Sequence, residues 1–382
     1  MKLLHLSDLH FGKSVNGFSM IEDQRFIVGQ IYELIQNESI DAVLLAGDIY
    51  DRSIPNGDAV TLFDDFLTAL KNMHTAVFMI SGNHDSPERL QFAGRLLEDE
   101  HIFISCHLSR EIKKVTLFDT YGPVNIYMLP FSKPMAVRAL YDDETIHTFD
   151  DAVRACIAHT PVNTAERNVM MTHHFVVSGS EKPEISDSEV TLSVGGIDEV
   201  GADCFRGFDY TALGHIHRPQ KIGRDNVRYG GSLLKYSFSE ANADKVMTIV
   251  ELKEKGNIDI RLVPLKPLRD MRKIKGTLKA LTDEDILSLE NREDYIHVTL
   301  TDKETLIEPM NSLRSVYPNV MQLAFARHET VLKDTASEAL TPKKNRLTLF
   351  EDFYTFVTGE TLDEAQRLVM EEVIDEAEKT DA

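Results

Sequence analysis

The chain has 382 residues, 42% of them hydrophobic and 27% charged, and its 41 basic against 62 acidic side chains leave a formal net charge of −21. That length predicts two or more domains, and that acidity excludes a chain that coats nucleic acid through a broad basic face of its own. A nucleic-acid substrate held locally by metals, or by a basic partner, stays compatible with it. From the N-terminus onward, residues 3–6, 42–46, 76–80, 169–171 and 210–213 are short apolar runs bounded by Gly, Ser, Asp or Asn. Such runs predict strands buried on both faces, in sheets covered by helices. Two amphipathic helical patterns separate the first three, one on Phe26, Ile27, Ile31, Leu34 and Ile35, the other on Val60, Phe63, Phe66, Leu67 and Leu70. Strand, helix, strand, helix predicts an α/β layer structure.

Further along, residues 113–118 and 124–129 read as strands joined by the turn-like Tyr121-Gly122-Pro123, and residues 149–157 have helical spacing. The polar stretch 178–196 reads as a long surface loop of the functional kind, close to the site. Residues 245–252 and 257–263 form a closing hairpin. After Pro264 and Pro267 the character changes: 274–281, 296–301 and 320–326 read as strands, separated by helical stretches at 283–290 and 307–316. This is a small second α/β or α+β module without a ligand-type cluster. Residues 339–346 read as a linker. The acidic remainder carries one stripe on Leu347, Phe350, Phe353, Tyr354 and Val357, and another on Leu362, Ala365, Leu368, Val369, Val373 and Ile374. The expected domains are 1–265, 266–338 and 339–382.

Three cysteines, Cys106, Cys156 and Cys204, stand far apart with no Cys-x-x-Cys pair, as expected for reduced thiols in a cytosol. The N-terminus enters a strand directly and lacks a secretory signal pattern, and no stretch approaches a membrane span, so a cytoplasmic location without membrane association is expected.

The chemistry lies where the first five runs end. Asp8 and His10, Asp48 after Gly47, Asn83 with His84 and Asp85, His173, and His215 with His217 each follow an apolar run. In open α/β sheets ligands collect beyond the carboxyl ends of strands. The residue types are those of a two-metal phosphoesterase, in which two cations about 3.5–4 Å apart polarise a phosphoryl group and supply a hydroxide near neutral pH. One carboxylate must bridge them, and Asp48 suits that role, with Gly47 leaving it uncrowded. Asp8 and His10 are two apart and would share a face of a continuing strand; His215 and His217 repeat the spacing and can divide between two metals. Two dications against two carboxylates leave a positive site that attracts a phosphate diester. Mixed imidazole and oxygen donors favour manganese, iron or zinc over calcium, and magnesium is a further alternative.

His84 is expected to stabilise charge on the phosphoryl group or protonate the leaving oxygen, with Asp85 orienting it. Arg52 and Arg89 are candidate phosphate clamps. Each has a plainer reading: Asp51 and Arg52 as caps of the following helix, Arg89 as a partner for a surface carboxylate. His174 follows His173, and only one of them can face the site from an extended segment; the motif favours His173. The tail stripes could pack on the chain itself, but their isolation beyond a linker points to a partner.

The pattern Asp8-x-His10, Gly47-Asp48-x-x-Asp51, Gly82-Asn83-His84-Asp85, His173 and Gly214-His215-x-His217 resembles the calcineurin-like metallophosphoesterase superfamily. The runs HLSDLHFGK, LLAGDIYDRSIP, GNHDSPERL, GHIHRPQ and YGGSLLKYSFSE resemble more narrowly the SbcD family of bacterial DNA exonuclease subunits, over most of the chain. The resemblance implies a four-layer sandwich with a small α/β capping domain and a C-terminal helical tail. It implies a manganese-dependent nuclease, a 3'-5' exonuclease and endonuclease at double-strand ends and hairpins, working with an SbcC-like coiled-coil ATPase on DNA. Asp8, His10, Asp48 and His217 would hold one metal, Asp48, Asn83, His173 and His215 the other, with His84 the catalytic non-ligand. The tail from Leu347 would dock on the ATPase, and the protein would form a homodimer within a heterotetramer through the apolar faces of residues 57–72 and 88–97. A small-molecule phosphodiesterase, for cyclic nucleotides for example, is the alternative that the core motifs alone allow, but it would need neither capping module nor tail. A non-enzymatic scaffold is disfavoured by the complete ligand set.

Overall fold

The computed structural model describes residues 1–189, 198–283, 291–326 and 346–380. The chain divides into two compact units, Met1–Arg272 and Lys273–Ala382.

Two six-stranded mixed sheets make the first unit. One runs in the order Ile258–Pro264, Val246–Leu252, Lys2–Leu6, Ala42–Ala46, Ala76–Ile80, Ile102–Ser105; the last four strands are parallel and the first two antiparallel. The other runs Gln220–Ile222, Arg224–Tyr229, Tyr210–Leu213, Arg167–Thr172, Gly122–Leu129, Lys113–Asp119, with a parallel centre and antiparallel edges. Every strand expected in this unit is present. The closing hairpin 245–263 completes the first sheet against the N-terminal strand.

The burial of the apolar runs has a different origin from the one expected. Leu3, Leu44, Phe78 and Val250 of the first sheet share one core with Val124, Ile126, Met128, Val169, Met171 and Ala212 of the second. Each sheet is therefore covered by helices on one face only, and its other face is covered by the second sheet. Sequence periodicity reports that both faces are dry, not what dries them. By strand alternation, the equally buried Leu4, Val43, Leu45, Val77 and Met79 face the other way, towards the helices Ile21–Glu38 and Gly57–Asn72. Those helices bury Ile27, Val28, Ile31 and Ile35, and Leu62, Phe63, Phe66 and Leu70. The expected stripes were each one residue too wide, since Phe26 and Val60 are exposed. On the far side the helix Phe149–Ala158 buries Ala152, Val153 and Cys156 into a third layer of apolar contacts. Each large aliphatic side chain so removed from water contributes ~1.5–3 kcal/mol. The result is the α/β/β/α sandwich expected from the resemblance.

Two details of the first unit differ from the sequence reading. The turn before the strand Gly122–Leu129 lies at Thr120 and Tyr121, while Gly122 and Pro123 already pair with Asp119 and Phe118. The loop from Ser178 leaves a short parallel pair, Phe175–Val177 with Glu199–Gly201, and residues 190–197 of it lie outside the described residues.

The second unit holds, from Lys273 onward, a three-stranded sheet in the order Met271–Gly276, Tyr295–Leu300, Val320–Phe325, packed on Leu281, Leu313 and Tyr317. The strand expected over 274–281 stops at Gly276, because the Thr277 hydroxyl accepts from Ala280 N and caps the turn Leu278–Leu281. The helix expected over 307–316 shrinks to Pro309–Arg314: Glu308 is left-handed (φ 43°) and proline occupies the first turn, where its missing N–H costs nothing. The helical expectation at 283–290, apart from Asp283, and the linker at 339–346, apart from Arg346, lie outside the described residues. The tail forms two helices, Arg346–Thr358 and Glu364–Thr380. Among the described residues no helix is long and apolar enough to cross a membrane.

Candidate metal centre

The ligand-type residues converge at the carboxyl ends of the two central sheets, but not by the expected route. The strand Lys2–Leu6 ends before Asp8, so Asp8 and His10 share no pleat. They are turned the same way by left-handed backbone at both residues (φ 51° and 44°). Asp48 (φ 50°) and His215 (φ 93°) repeat the device. For non-glycine residues this geometry is costly and clusters at functional sites. It is held by hydrogen bonds between the two loops, Asp8 N to Gly47 O at 3.1 Å and His10 N to Asp48 O at 3.0 Å.

The room around Asp48 also has another source than expected. At Gly47 (φ +88°) a Cβ would meet His173 Nδ1 at 2.3 Å, whereas at Gly82 it would meet Asp48 Oδ1 at 2.1 Å. Gly82 is the residue whose missing side chain makes space for the Asp48 carboxylate.

Asp48 sits centrally. Its Oδ2 is 3.7 Å from His10 Nε2 and 3.3 Å from His173 Nε2. On one side His10 Nε2 faces His217 Nε2 at 3.0 Å, and with Asp8 they form a group of ligand atoms within 4.8 Å of one another. On the other, Asn83 Oδ1 lies 3.1 Å from His173 Nε2 and 3.0 Å from His215 Nδ1. Asp8 reaches both sides, grouping also with Asp48 and His173, and accepts from His215 N at 3.0 Å. All seven predicted ligands are thus in one cluster. Of the histidine pair, His173 faces it, with Nδ1 bonded to Ala46 O at 2.8 Å. His174 points away, bonded to the Thr172 hydroxyl at 2.7 Å and stacked on Phe131.

This donor set suits divalent cations. His10 and His217 are buried ring to ring, and burial pushes His10 down to about 3 and His217 well below its ordinary value. Two neutral imidazole nitrogens at this distance share one proton in an N–H···N hydrogen bond, or turn both lone pairs to a cation held between them. Burial lowers His215 to about 4. Burial would depress His173 as well, but the carboxylates of Asp48 and Asp8 raise it to about 9. Asp48, although buried, is held well below the usual carboxylate range by the charge of His173. Burial lifts Asp8 to about 7 against the pull of His173. An imidazolium thus supplies the positive charge that a dication would otherwise bring, so metal binding there displaces protons.

His84 lies at the edge of the cluster, its ring 5.0 Å from that of His10. Its Nδ1 is 3.0 Å from the Asp51 carbonyl and its backbone N donates to Asp48 Oδ1 at 2.9 Å. The orienting group expected for it was Asp85, and this is corrected. Asp85 accepts instead from the backbone N–H groups of Tyr50, Ile49 and Gly82 at 3.0, 3.2 and 2.9 Å, tying the Asp48 loop to the Asn83 loop. Asp51 caps no helix: Asn56 is the cap of Gly57–Asn72, and Asp51 pairs with Lys13 at 2.6 Å. Arg52 is 80% exposed and 3.7 Å from Asp51, and Arg89 is exposed on the short helix Pro87–Leu90 with no ion pair among the described residues. Neither is held against the cluster.

Sequence reasoning missed the supports. Lys13 stands over the Tyr236 ring at 5.4 Å, and the Tyr236 hydroxyl donates to Leu9 O at 2.8 Å. Gln24 binds His10 O at 2.7 Å. Gln24 comes from a helix, and Tyr236 from a loop, whose local pattern carries no chemistry.

Residues 1–219 match the family described as calcineurin-like phosphoesterase, and residues 267–358 match the type 5 capsule protein repressor C-terminal domain. The D subunit of nuclease SbcCD from Staphylococcus saprophyticus subsp. saprophyticus is 33% identical over 377 residues, 98% of each chain. That of Staphylococcus epidermidis is 31% identical over 369 residues, 96% of each chain. Among solved structures, a dimetal phosphatase from Danio rerio gives a TM-score of 0.41 at 10% identity, covering 70% of this chain and 98% of that one. On the first of these matches, and on 33% and 31% identity over nearly the full length of the two nuclease subunits, the chain belongs to the calcineurin-like phosphoesterases and, within them, to the SbcD family of nuclease subunits.

Proposed function

We propose that this chain is the nuclease subunit of an SbcCD-type complex, a metal-dependent hydrolase of DNA phosphodiester bonds. The observation that carries the site is the carboxylate of Asp48 between His10 and His173, at 3.7 and 3.3 Å, with further oxygen and imidazole donors on either side. Asp8, His10, Asp48 and His217 would hold one cation, and Asp48, Asn83, His173 and His215 the other. Manganese is the first choice for this mixed donor set, with magnesium, iron or zinc as alternatives. When bound, two such ions polarise the phosphoryl group and lower the pKa of the attacking water.

The chain's own residues do the rest. With Nδ1–H donated to the Asp51 carbonyl, His84 presents Nε2 to the substrate side, where a proton on it passes to the leaving oxygen. Lys13 holds Asp51 in turn. Asp85 keeps the two ligand loops in register. Arg52 and Arg89, both exposed, act on the DNA backbone at longer range, as salt-screened steering charges.

The acidic chain shares DNA binding with its partners: an SbcC-like ATPase engaged by the tail from Leu347, and a second copy of this chain in a heterotetramer. Exposed Phe92, Leu96 and Val60 support that homodimer. The capping module and tail argue against a small-molecule phosphodiesterase, which would need neither. The test is cleavage of linear and hairpin DNA by the purified chain with Mn2+, with and without the ATPase and ATP. Turnover of cyclic nucleotides with no DNA cleavage in either condition would sink the proposal.

A further inference from the structure

The loop from Ser178 has no part in the chemistry proposed above, yet its Ser188 and Glu189 reach the cluster. Ser188 Oγ lies 2.8 Å from His217 Nδ1. We propose that Ser188 is a positioning residue for His217, so that this one side chain of the loop supports the metal centre; the inference rests on the two-metal reading above.

Proton counting gives the direction. The Ser188 hydroxyl donates to Glu240 Oε2 at 3.3 Å, which commits its only proton. At His217 the serine oxygen therefore accepts, and His217 carries its hydrogen on Nδ1. The lone pair is left on Nε2, the nitrogen that faces His10 Nε2 at 3.0 Å. The oxygen's remaining lone pair is available to the Ser186 hydroxyl at 2.7 Å. Ligand histidines are commonly fixed in tautomer and ring orientation by such a bond on the nitrogen away from the metal.

The backbone of His217 is clamped by the same group of residues. Its N–H donates to Glu189 Oε1, and its carbonyl accepts from Lys245 Nζ at 2.8 Å. Lys245 also donates to the Ser232 hydroxyl at 2.8 Å and pairs with Glu240. Glu240 is held by Tyr236 N and Ser237 N at 2.9 and 3.1 Å, and Ser239 Oγ accepts from Asp187 N at 2.9 Å. Residues 236–245 thus grip the loop and the ligand together. A buried Lys–Glu pair is weak support for stability, because desolvation offsets its attraction. Here Lys245 donates to the His217 carbonyl and Glu240 accepts from the Ser188 hydroxyl beside the His217 ring, which is a reason for their burial that packing does not provide.

The test is a calorimetric titration of the full-length, EDTA-stripped chain with Mn2+. Because His217 belongs to one metal only, Ser188→Ala weakens one of two binding events ~10–100-fold and leaves the other unchanged. The isosteric pair Ser188→Thr and Ser188→Val separates hydroxyl from volume: the threonine variant keeps wild-type affinity and the valine variant loses it as alanine does. Ser186→Ala leaves both events at wild-type strength. Wild-type binding by Ser188→Ala, equal affinities in the Thr and Val variants, or the same loss in Ser186→Ala overturns the inference. A wild-type chain that binds no Mn2+ overturns instead the two-metal reading beneath it.

Discussion

Replacing Gly82 by alanine tests whether Asp48 is placed to within a fraction of an ångström. The added Cβ would lie 2.1 Å from Asp48 Oδ1 and 2.5 Å from Asp48 N, where real Cβ contacts essentially never fall below 3.0 Å. The carboxylate, or the segment from Gly82 to Asp85, must then move by about 0.9 Å, the difference between 3.0 and 2.1 Å. Asp48 has little freedom to yield: Oδ1 accepts from His84 N at 2.9 Å and Oδ2 is 3.3 Å from His173. A displacement of about 1 Å at a reacting centre costs ~100-fold in rate, or ~2.7 kcal/mol of barrier, while overpacking costs about 1–3 kcal/mol of stability. The assay is kcat/KM for Mn2+-dependent DNA cleavage, with Mn2+ stoichiometry and thermal melting on the same samples. Gly29→Ala is the control, since in the helix Ile21–Glu38 its Cβ meets nothing within 4 Å; it should stabilise by about 0.5–1 kcal/mol with activity unchanged. Wild-type kcat/KM and two bound Mn2+ in Gly82→Ala would refute the reasoning.

His84→Ala should lower kcat ~10²–10⁴-fold while both Mn2+ affinities persist; loss of metal would make His84 a ligand instead. Asp85→Ala strands the N–H groups of Ile49, Tyr50 and Gly82, at about 1–3 kcal/mol for each group left unpaired, so its melting temperature should fall far more than that of Asp85→Asn. Stability of the metal-stripped chain should peak near neutral pH. His5, His10 and His174 near 3 and His215 near 4 are lowered by burial, so their contribution is full above about 6.5 and lost as pH falls towards those values. His173, raised to about 9, contributes fully below about 6.5 and is lost as pH rises through 9, and Asp8, raised to about 7, declines in the same direction. Mn2+ should remove the alkaline loss, and a melting temperature unchanged from pH 5 to 9 in EDTA would contradict the assignment. Deleting residues 347–382 should abolish capture by the ATPase and spare Mn2+ binding; normal pull-down of the truncated chain would exclude the tail as the docking element.

Much of the site was legible because its ligands are local punctuation. Asp8, Asp48, Asn83, His173 and His215 each follow a run of apolar residues, and strand ends are where an α/β fold gathers side chains. Their mode of approach was not legible. The two-residue spacing of Asp8 and His10 suggested a shared strand face, yet both sit in left-handed backbone stabilised by the neighbouring loop. Asp85 was misread because adjacency to His84 suggested contact, while its carboxylate turns back to backbone N–H groups more than thirty residues earlier.

By itself the sequence determined which residues could bind metal, in what order, and which strands would be buried on both faces, since these depend on residue type and short-range period. Only the tertiary structure decided what covers those strands, that Gly82 and not Gly47 clears space for Asp48, that His173 and not His174 faces the cluster, and that Ser188 and Lys245 reach His217. The physical reason is the same in each case. A hydrogen bond or steric limit between residues tens to hundreds of positions apart leaves no periodicity in the chain, and it exists only once two sheets and their loops have been brought together.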